Sequence, residues 1–179
     1  MDRMTITEAL AEIKTIKARM AKKRESVARY LMRDCRLRDP MEADGGSAKF
    51  VERERQAIGD LEQRIIAIRC AIQTVNLATS FTVQGTARTM AAWLTWRREV
   101  APEAKGFLSQ LVSHVGEMRQ KAEQKGVRMT DKDSGTAVPE IVVAVNEQQL
   151  AKEVEQMEAT LGELDGKLSL LNATTVVEF

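Results

Sequence analysis

The sequence predicts a mainly α protein, a long antiparallel helical hairpin or coiled-coil bundle with a few short β-strands at the helix ends. Three observations predict it. Apolar residues alternate in steps of three and four over long stretches, aromatic residues make up 4% of the chain against 30% charged residues, and short β-branched segments sit beside the expected helix ends. A three-four alternation keeps one stripe of a helix apolar. A composition rich in charge and poor in aromatic rings favours long helices over a compact aromatic core.

The first helix is expected over residues 7–38, with Leu10, Ile13, Ile16, Met20, Val27 and Leu31 on one stripe, Arg24 interrupting it and Thr7 as N-cap. Asp39-Pro-Met-Glu-Ala-Asp-Gly-Gly-Ser47 then breaks the chain. Pro40 cannot continue a helix, the glycines permit a turn, and Ser47 can cap the second helix. That helix, 47–78, carries the seam Ile58, Leu61, Ile65, Ile68, Ile72 and Val75. A short connection makes the two helices antiparallel neighbours. Folding about position 43 places Leu10 opposite Asn76 and Met20 opposite Ile65 or Ile66. The same register puts Cys35 near Val51 and Cys70 near Ile16, on different levels, so no disulfide is expected between them.

Residues 88–126 read as a short helix followed by a longer one that Pro102 opens and that ends near Gly126. Its apolar positions, Phe107, Leu108, Leu111, Val112, Val115 and Met118, are expected to lie against the long helices. Residues 127–140 are polar, contain glycine and lack periodicity, which predicts a loop. Residues 141–179 read as strand, helix and strand, the helix capped by Asn146 and carrying the longest seam: Leu150, Val154, Met157, Leu161, Leu164, Leu168 and Leu171. The chain as a whole, 1–179, reads as one elongated domain. The strand candidates Met4–Ile6, Ser80–Val83, Ile141–Val145 and Thr174–Phe179 could form one sheet capping the bundle, or leave edges to pair with a neighbouring subunit.

Adding 96 to the seam of the second helix lands on the seam of the last, and Asn76 lands on Asn172. Both asparagines precede Ala-Thr or Leu-Ala-Thr and a β-branched segment, which predicts a shared helix-to-strand exit. Heptads match one another by chance, so the seams alone leave true duplication open.

Composition excludes several function classes. Apolar runs such as Ile141–Val145 are far shorter than the roughly 20 residues that cross a bilayer, and the first residues lack the pattern of a secretory signal. A cytoplasmic location and no membrane partner are therefore expected. Two cysteines without paired spacing make neither a disulfide framework nor a zinc site, and free thiols of this kind commonly pack as small apolar groups. His114 is the lone histidine, and no lysine and hydroxyl pair comes after Gly45-Gly46 as a phosphate loop requires. No catalytic residue, metal ligand, cofactor or small-molecule substrate is expected, and the chain is not expected to be an enzyme. Trp93, Trp96, Arg97 and Arg98 could stack bases and bind phosphate, but tryptophans three apart share one helix face with apolar neighbours and read better as core.

Charge is unevenly spread despite a net +1. Lys14 to Arg38 holds ten basic residues against Glu25 and Asp34, a balance of +8, whereas Glu147 to Phe179 has a balance of −5. The basic stretch supplies a candidate contact face of Lys14, Lys17, Lys22, Lys23, Arg29, Arg33 and Arg36. It can flank the acidic last helix, within or between subunits, without any further partner. It can also track nucleic-acid phosphates, with an affinity that falls steeply with salt. A candidate intersubunit strand is Thr174, Thr175, Val176 and Val177.

The segments Asp39–Ser47, RTMAAWLTWRREVAP from Arg88 to Pro102 and LGELDGKLSLLNATTVVEF from Leu161 to Phe179 resemble small helical proteins encoded by tailed bacteriophages and prophages. The resemblance implies a particle component or assembly factor, such as a connector, collar, tail accessory or decoration protein. Its partners would be other copies of itself or other phage structural proteins, met in the host cytoplasm during assembly and then in the virion. The alternative is a nucleic-acid-binding or regulatory protein using the basic face. No functional residue is implied by the resemblance.

Overall fold

A computed structural model describes residues 2–127 and 141–179, together with the backbone of 129–131. The protein is mainly α with a minor β component. In chain order the elements are β1 (Arg3–Thr5), α1 (Ile6–Tyr30), α2 (Ser47–Ala78), β2 (Ser80–Val83), β3 (Thr86–Thr89), α3 (Met90–Thr95), α4 (Ala101–Gln124), β4 (Met129–Asp131), β5 (Ile141–Val143), α5 (Glu147–Thr174) and β6 (Val176–Glu178). A short 3-10 turn, Glu42–Asp44, precedes α2, and a π-helical turn, Trp96–Val100, joins α3 to α4. The chain divides into two compact units, one of Met1–Ala78 with Ser169–Phe179 and one of Thr79–Leu168, where the sequence reads as a single domain.

In the first unit α1 and α2 form the expected hairpin. Ile6, Ala9, Ile13, Ile16 and Met20 of α1 are buried, as are Ile68 and Ile72 of α2. Burial of each large aliphatic side chain contributes about 1.5–3 kcal/mol, so this seam supplies most of what holds the hairpin. The helix begins sooner than expected, directly at the end of a strand. Thr5, not Thr7, is the N-cap: its hydroxyl accepts from the Glu8 amide while the Glu8 carboxylate takes the Thr5 amide. Thr5 ends a strand, and extended backbone is what an N-cap needs.

α1 stops at Tyr30 rather than 38. Tyr30 stacks edge-on against Phe50 with 5.2 Å between ring centroids, and beyond this pair Leu31 and Met32 are exposed with nothing to cover them. Asp34 then offers the backbone a competing turn by accepting from the Arg36 amide and guanidinium. The hairpin consequently turns near Asp39 and Pro40, not 43. Lys23 faces Glu54 and Glu12 faces Arg64, a shift of six to ten positions from the expected levels. The exposed Arg24–Glu62 pair, with its long side chains, falls at the expected level. Cys35 lies in the connection, outside either helix, and both thiols are free and exposed rather than packed.

Ser47 does not cap α2. It is the buried first residue of the helix, and its hydroxyl and amide both donate to the Asp39 carboxylate. Asp39, eight residues upstream, therefore does the capping and also accepts from the Met41 amide. Gly46 holds the intervening turn at φ 94°, where a side chain would be strained.

The four strand candidates do not meet in one sheet. They lie in three separate two-stranded ladders, one made by two of the candidates, β1 and β6, and two completed by strands that periodicity did not predict, β3 and β4. β2 and β3 make a hairpin across Gln84-Gly85, both at positive φ (45° and 74°), the turn whose twist suits two antiparallel strands. β1 pairs antiparallel with β6 of the same chain. β4 pairs parallel with β5, which places a strand inside the segment read as a loop; residues 132–140 of that segment lie outside the described residues.

In the second unit α4 and α5 run antiparallel, fixed by Arg97–Asp165, Lys105–Glu158 and Arg119–Glu147. Met90, Trp93, Ala101, Val83, Leu150, Leu164 and Leu168 are its main buried positions. Pro102 sits in the first turn of α4, and Asn146 caps α5 as expected by accepting from the Gln149 amide.

Bonds from the Ser47 hydroxyl, the Ser47 amide and the Met41 amide hold Asp39 down to about 2 from the usual 3.8. A depressed carboxylate stabilises the fold above its unfolded value and loses that contribution as pH falls through its folded value. Asp39→Asn should therefore lower the thermal midpoint at pH 7, and its difference from the parent should vanish between about pH 4 and pH 2, as circular dichroism melts will read. Ile68→Ala, at a fully buried position, should cost about 2–5 kcal/mol in urea unfolding.

Candidate interaction surfaces

The basic stretch is exposed but is not one face. Successive residues of a helix advance by about 100°, which turns Lys14, Lys22 and Arg29 away from the buried seam of α1 and leaves Lys17 and Lys23 on its two flanks. Arg33 and Arg36 lie beyond the end of α1, in the connection. Several members are neutralised within the first unit: Lys23 bonds Glu54 at 2.8 Å, Arg29 bonds Glu25, Arg33 meets Asp39 at 3.6 Å and Arg36 meets Asp34. Lys14, Lys17 and Lys22 make no ion pair among the described residues. Within the first unit the basic first helix finds acids on α2, and within the second unit acids of α5 find bases on α4 and the π-helical turn.

Thr174 belongs to α5, and Thr175 is the single residue between helix and strand. Val176 and Val177 lie in β6, with Val177 fully buried. One edge of β6 is taken by β1, in the register Arg3 to Glu178, Met4 to Val177 and Thr5 to Val176. Phe179 comes next, with the Arg64 guanidinium 4.6 Å from its ring centre.

Trp93 forms core rather than a stacking patch, and Trp96 beside it is half-buried. Trp93 is 2% exposed, its indole N–H donates to the Phe81 carbonyl at 3.2 Å, and Trp96 meets it edge-on. The Arg88 guanidinium lies 4.7 Å over its ring. Arg97 and Arg98 are engaged by Asp165 and Glu99.

Sequence reasoning missed how much of α4 stays uncovered. Its six apolar residues span an arc of about 140° at 100° per residue, wider than one neighbouring helix covers. Phe107 is 61% exposed, Val112 48% and Met118 45%, while Leu108, Leu111 and Val115 are half-buried. Between α4 and α5 lies a groove of about 430 Å³ lined by Val112, Val115, Gly116, Leu150 and Ala151, with the Arg119–Glu147 pair on its wall. A second hollow, lined by Val115, Met118, His114 and Ile141–Val143, adjoins Val115. The arc was visible in the sequence as a count of apolar residues exceeding one seam. Among the described residues no three His, Cys, Asp or Glu side chains cluster as a metal site, and no helix is long and apolar enough to cross a membrane.

No protein-family model matches the chain, and no curated protein matches it. A crystal structure of a functionally unknown conserved protein from Corynebacterium diphtheriae is similar in fold, with a TM-score of 0.57 and 15% identity, covering 99% of this chain and 100% of that one. At that identity the likeness concerns the fold.

Proposed function

We propose that the protein is a structural or assembly component of a tailed-phage particle, such as a connector, collar, tail accessory or decoration protein, acting through contacts with copies of itself and other particle proteins. The observation that carries the protein-contact part is the incompletely covered apolar arc of α4: Phe107, Val112 and Met118 are exposed, Val112 lining the apolar groove and Met118 the second hollow. Large apolar side chains left exposed at the rims of apolar hollows mark contact sites. The phage setting rests on the resemblance of Asp39–Ser47, Arg88–Pro102 and Leu161–Phe179. A repeated subunit building a ring or sleeve needs such surfaces.

Exposed Lys14, Lys17 and Lys22, which make no ion pair among the described residues, favour a second reading, a nucleic-acid-binding or regulatory protein. Phosphate contacts made by lysines release counterions and weaken steeply with salt.

Light scattering over a range of concentrations should give a defined oligomer, and Phe107→Ser with Met118→Ser should lower its mass while leaving the helix signal and melting midpoint unchanged. A strict monomer at every concentration would overturn the assembly reading. Retention on a DNA column at low salt, abolished by Lys14→Glu with Lys22→Glu, would replace it with the second reading; indifference to DNA at low salt would remove that reading.

A further inference from the structure

The two helix-to-strand exits belong to a longer correspondence. α2 ends at Ala78, Thr79 intervenes and β2 begins at Ser80; α5 ends at Thr174, Thr175 intervenes and β6 begins at Val176. Each is 96 residues from its counterpart. The strands they pair with also correspond, 84 residues apart. Thr5 ends β1 and caps α1 by accepting from Glu8, and Thr89 ends β3 and caps α3 by accepting from Ala92, each at 3.2 Å. The Ile6 amide donates to the Thr175 carbonyl at 3.0 Å, and the Met90 amide donates to the Thr79 carbonyl at 2.7 Å.

Both ladders have one register. Thr5 to Val176, Met4 to Val177 and Arg3 to Glu178 in the first match Thr89 to Ser80, Arg88 to Phe81 and Ala87 to Thr82 in the second. Burial agrees: Ile6 with Met90, Ala9 with Trp93, Ile68 with Leu164 and Ile72 with Leu168. Buried Ile16 and Ala101 match once one extra residue is allowed, and the π-helical turn Trp96–Val100 lies where that residue must be absorbed. Heptad periodicity cannot produce matching caps, carbonyl acceptors and ladder register, so chance agreement of the seams does not account for them.

We infer that the chain is a tandem duplication of a strand–helix–helix–strand module, 3–83 and 86–178, and that the β1 edge is a docking site for a Ser169–Phe179 segment supplied, in the assembled protein, by a second copy of the chain. Neither module pairs its own leading strand with its own trailing strand. The trailing strand of each lies beside the leading strand of the other, so each edge is shaped for another module. The internal junction is closed covalently by Gln84-Gly85, whereas the terminal junction is held by backbone bonds between Asp2 and Phe179, the Arg3–Glu178 pair, buried Val177 and the Arg64–Phe179 contact. Ser169–Phe179 groups with the first compact unit although the preceding residues of α5 group with the second. This arm thus belongs by sequence to the second module and by contact to the first. Exchange of an identical arm reproduces every contact at the junction, so concentration and connection strain set the balance.

This arm exchange rests on the assembly reading and names its partner and contact. Arg3 and Glu178 are exposed and occupy a pair between hydrogen-bonded ones, where side chains approach closely; Thr82 and Ala87 are their internal counterparts. In chains carrying Cys35→Ser and Cys70→Ser, Arg3→Cys and Glu178→Cys variants should be mixed at high concentration with oxidised glutathione and resolved without reductant. The expected result is a cross-linked dimer at least ten times more abundant than from mixed Thr82→Cys and Ala87→Cys chains, whose junction the turn closes. A mixture yielding no more than that control, while the Arg3→Cys/Glu178→Cys double variant closes within one chain, would overturn the exchange. So would a double variant that cross-links in neither form. An oligomer in light scattering without the cross-link would end the exchange and keep the assembly reading; a strict monomer without it would end both.

Discussion

A strand of three or four residues leaves its backbone donors and acceptors bare unless another strand lies beside it, and buried backbone groups are almost always paired. That requirement organises the ends of this protein. β1 is satisfied by β6 from the far end of the chain, and β2 by β3 across a two-residue turn. The strands then deliver Thr5 and Thr89 in the extended conformation that caps a helix, and the capped helices carry the buried seams. Loss of the ladders would remove the caps and the positions of the first buried residues together.

Charge has a narrower role. The ion pairs Arg24–Glu62, Lys105–Glu158 and Arg97–Asp165 lie on partly or largely exposed side chains, and pairs of that kind contribute under about 1 kcal/mol each. The consistent levels of the last two, where α5 meets α4 and the π-helical turn before it, hold register more than they hold the fold. Asp39 differs, because it accepts two amides and a hydroxyl and joins the end of the connection to the start of α2. The candidate basic face is divided by the end of α1 into three side chains turned away from the seam, two flanking it and two in the connection.

The proposed contact surfaces are of two physical kinds. The α4 arc is apolar and wider than one helix can cover, so its drive toward a partner is removal of apolar area from water. The β1 edge is a backbone template, selective through register and through the fit of Val177 and Phe179. An assembly using both would draw affinity from the first and direction from the second.

Residue periodicity alone determined the helices, because an apolar stripe every three or four residues has one low-energy arrangement; the seams Ile58–Val75 and Leu150–Leu171, the cap at Asn146 and both helix-to-strand exits were legible in this way. The core role of Trp93 was legible from its spacing to Trp96. The end of α1 at Tyr30, the turn at Asp39, the capping of α2 from eight residues upstream, the partners of β1 and β4 and the openness of the α4 arc were decided by tertiary structure. Each depends on which groups meet across long stretches of chain: where an opposing helix stops, which carboxylate reaches an orphan amide, which strand edge is nearest, and how much of an arc a neighbour covers. Periodicity within a segment carries no information about those distances, and so the same seams that predicted the helices left their register, their strand partners and the duplication to the folded chain.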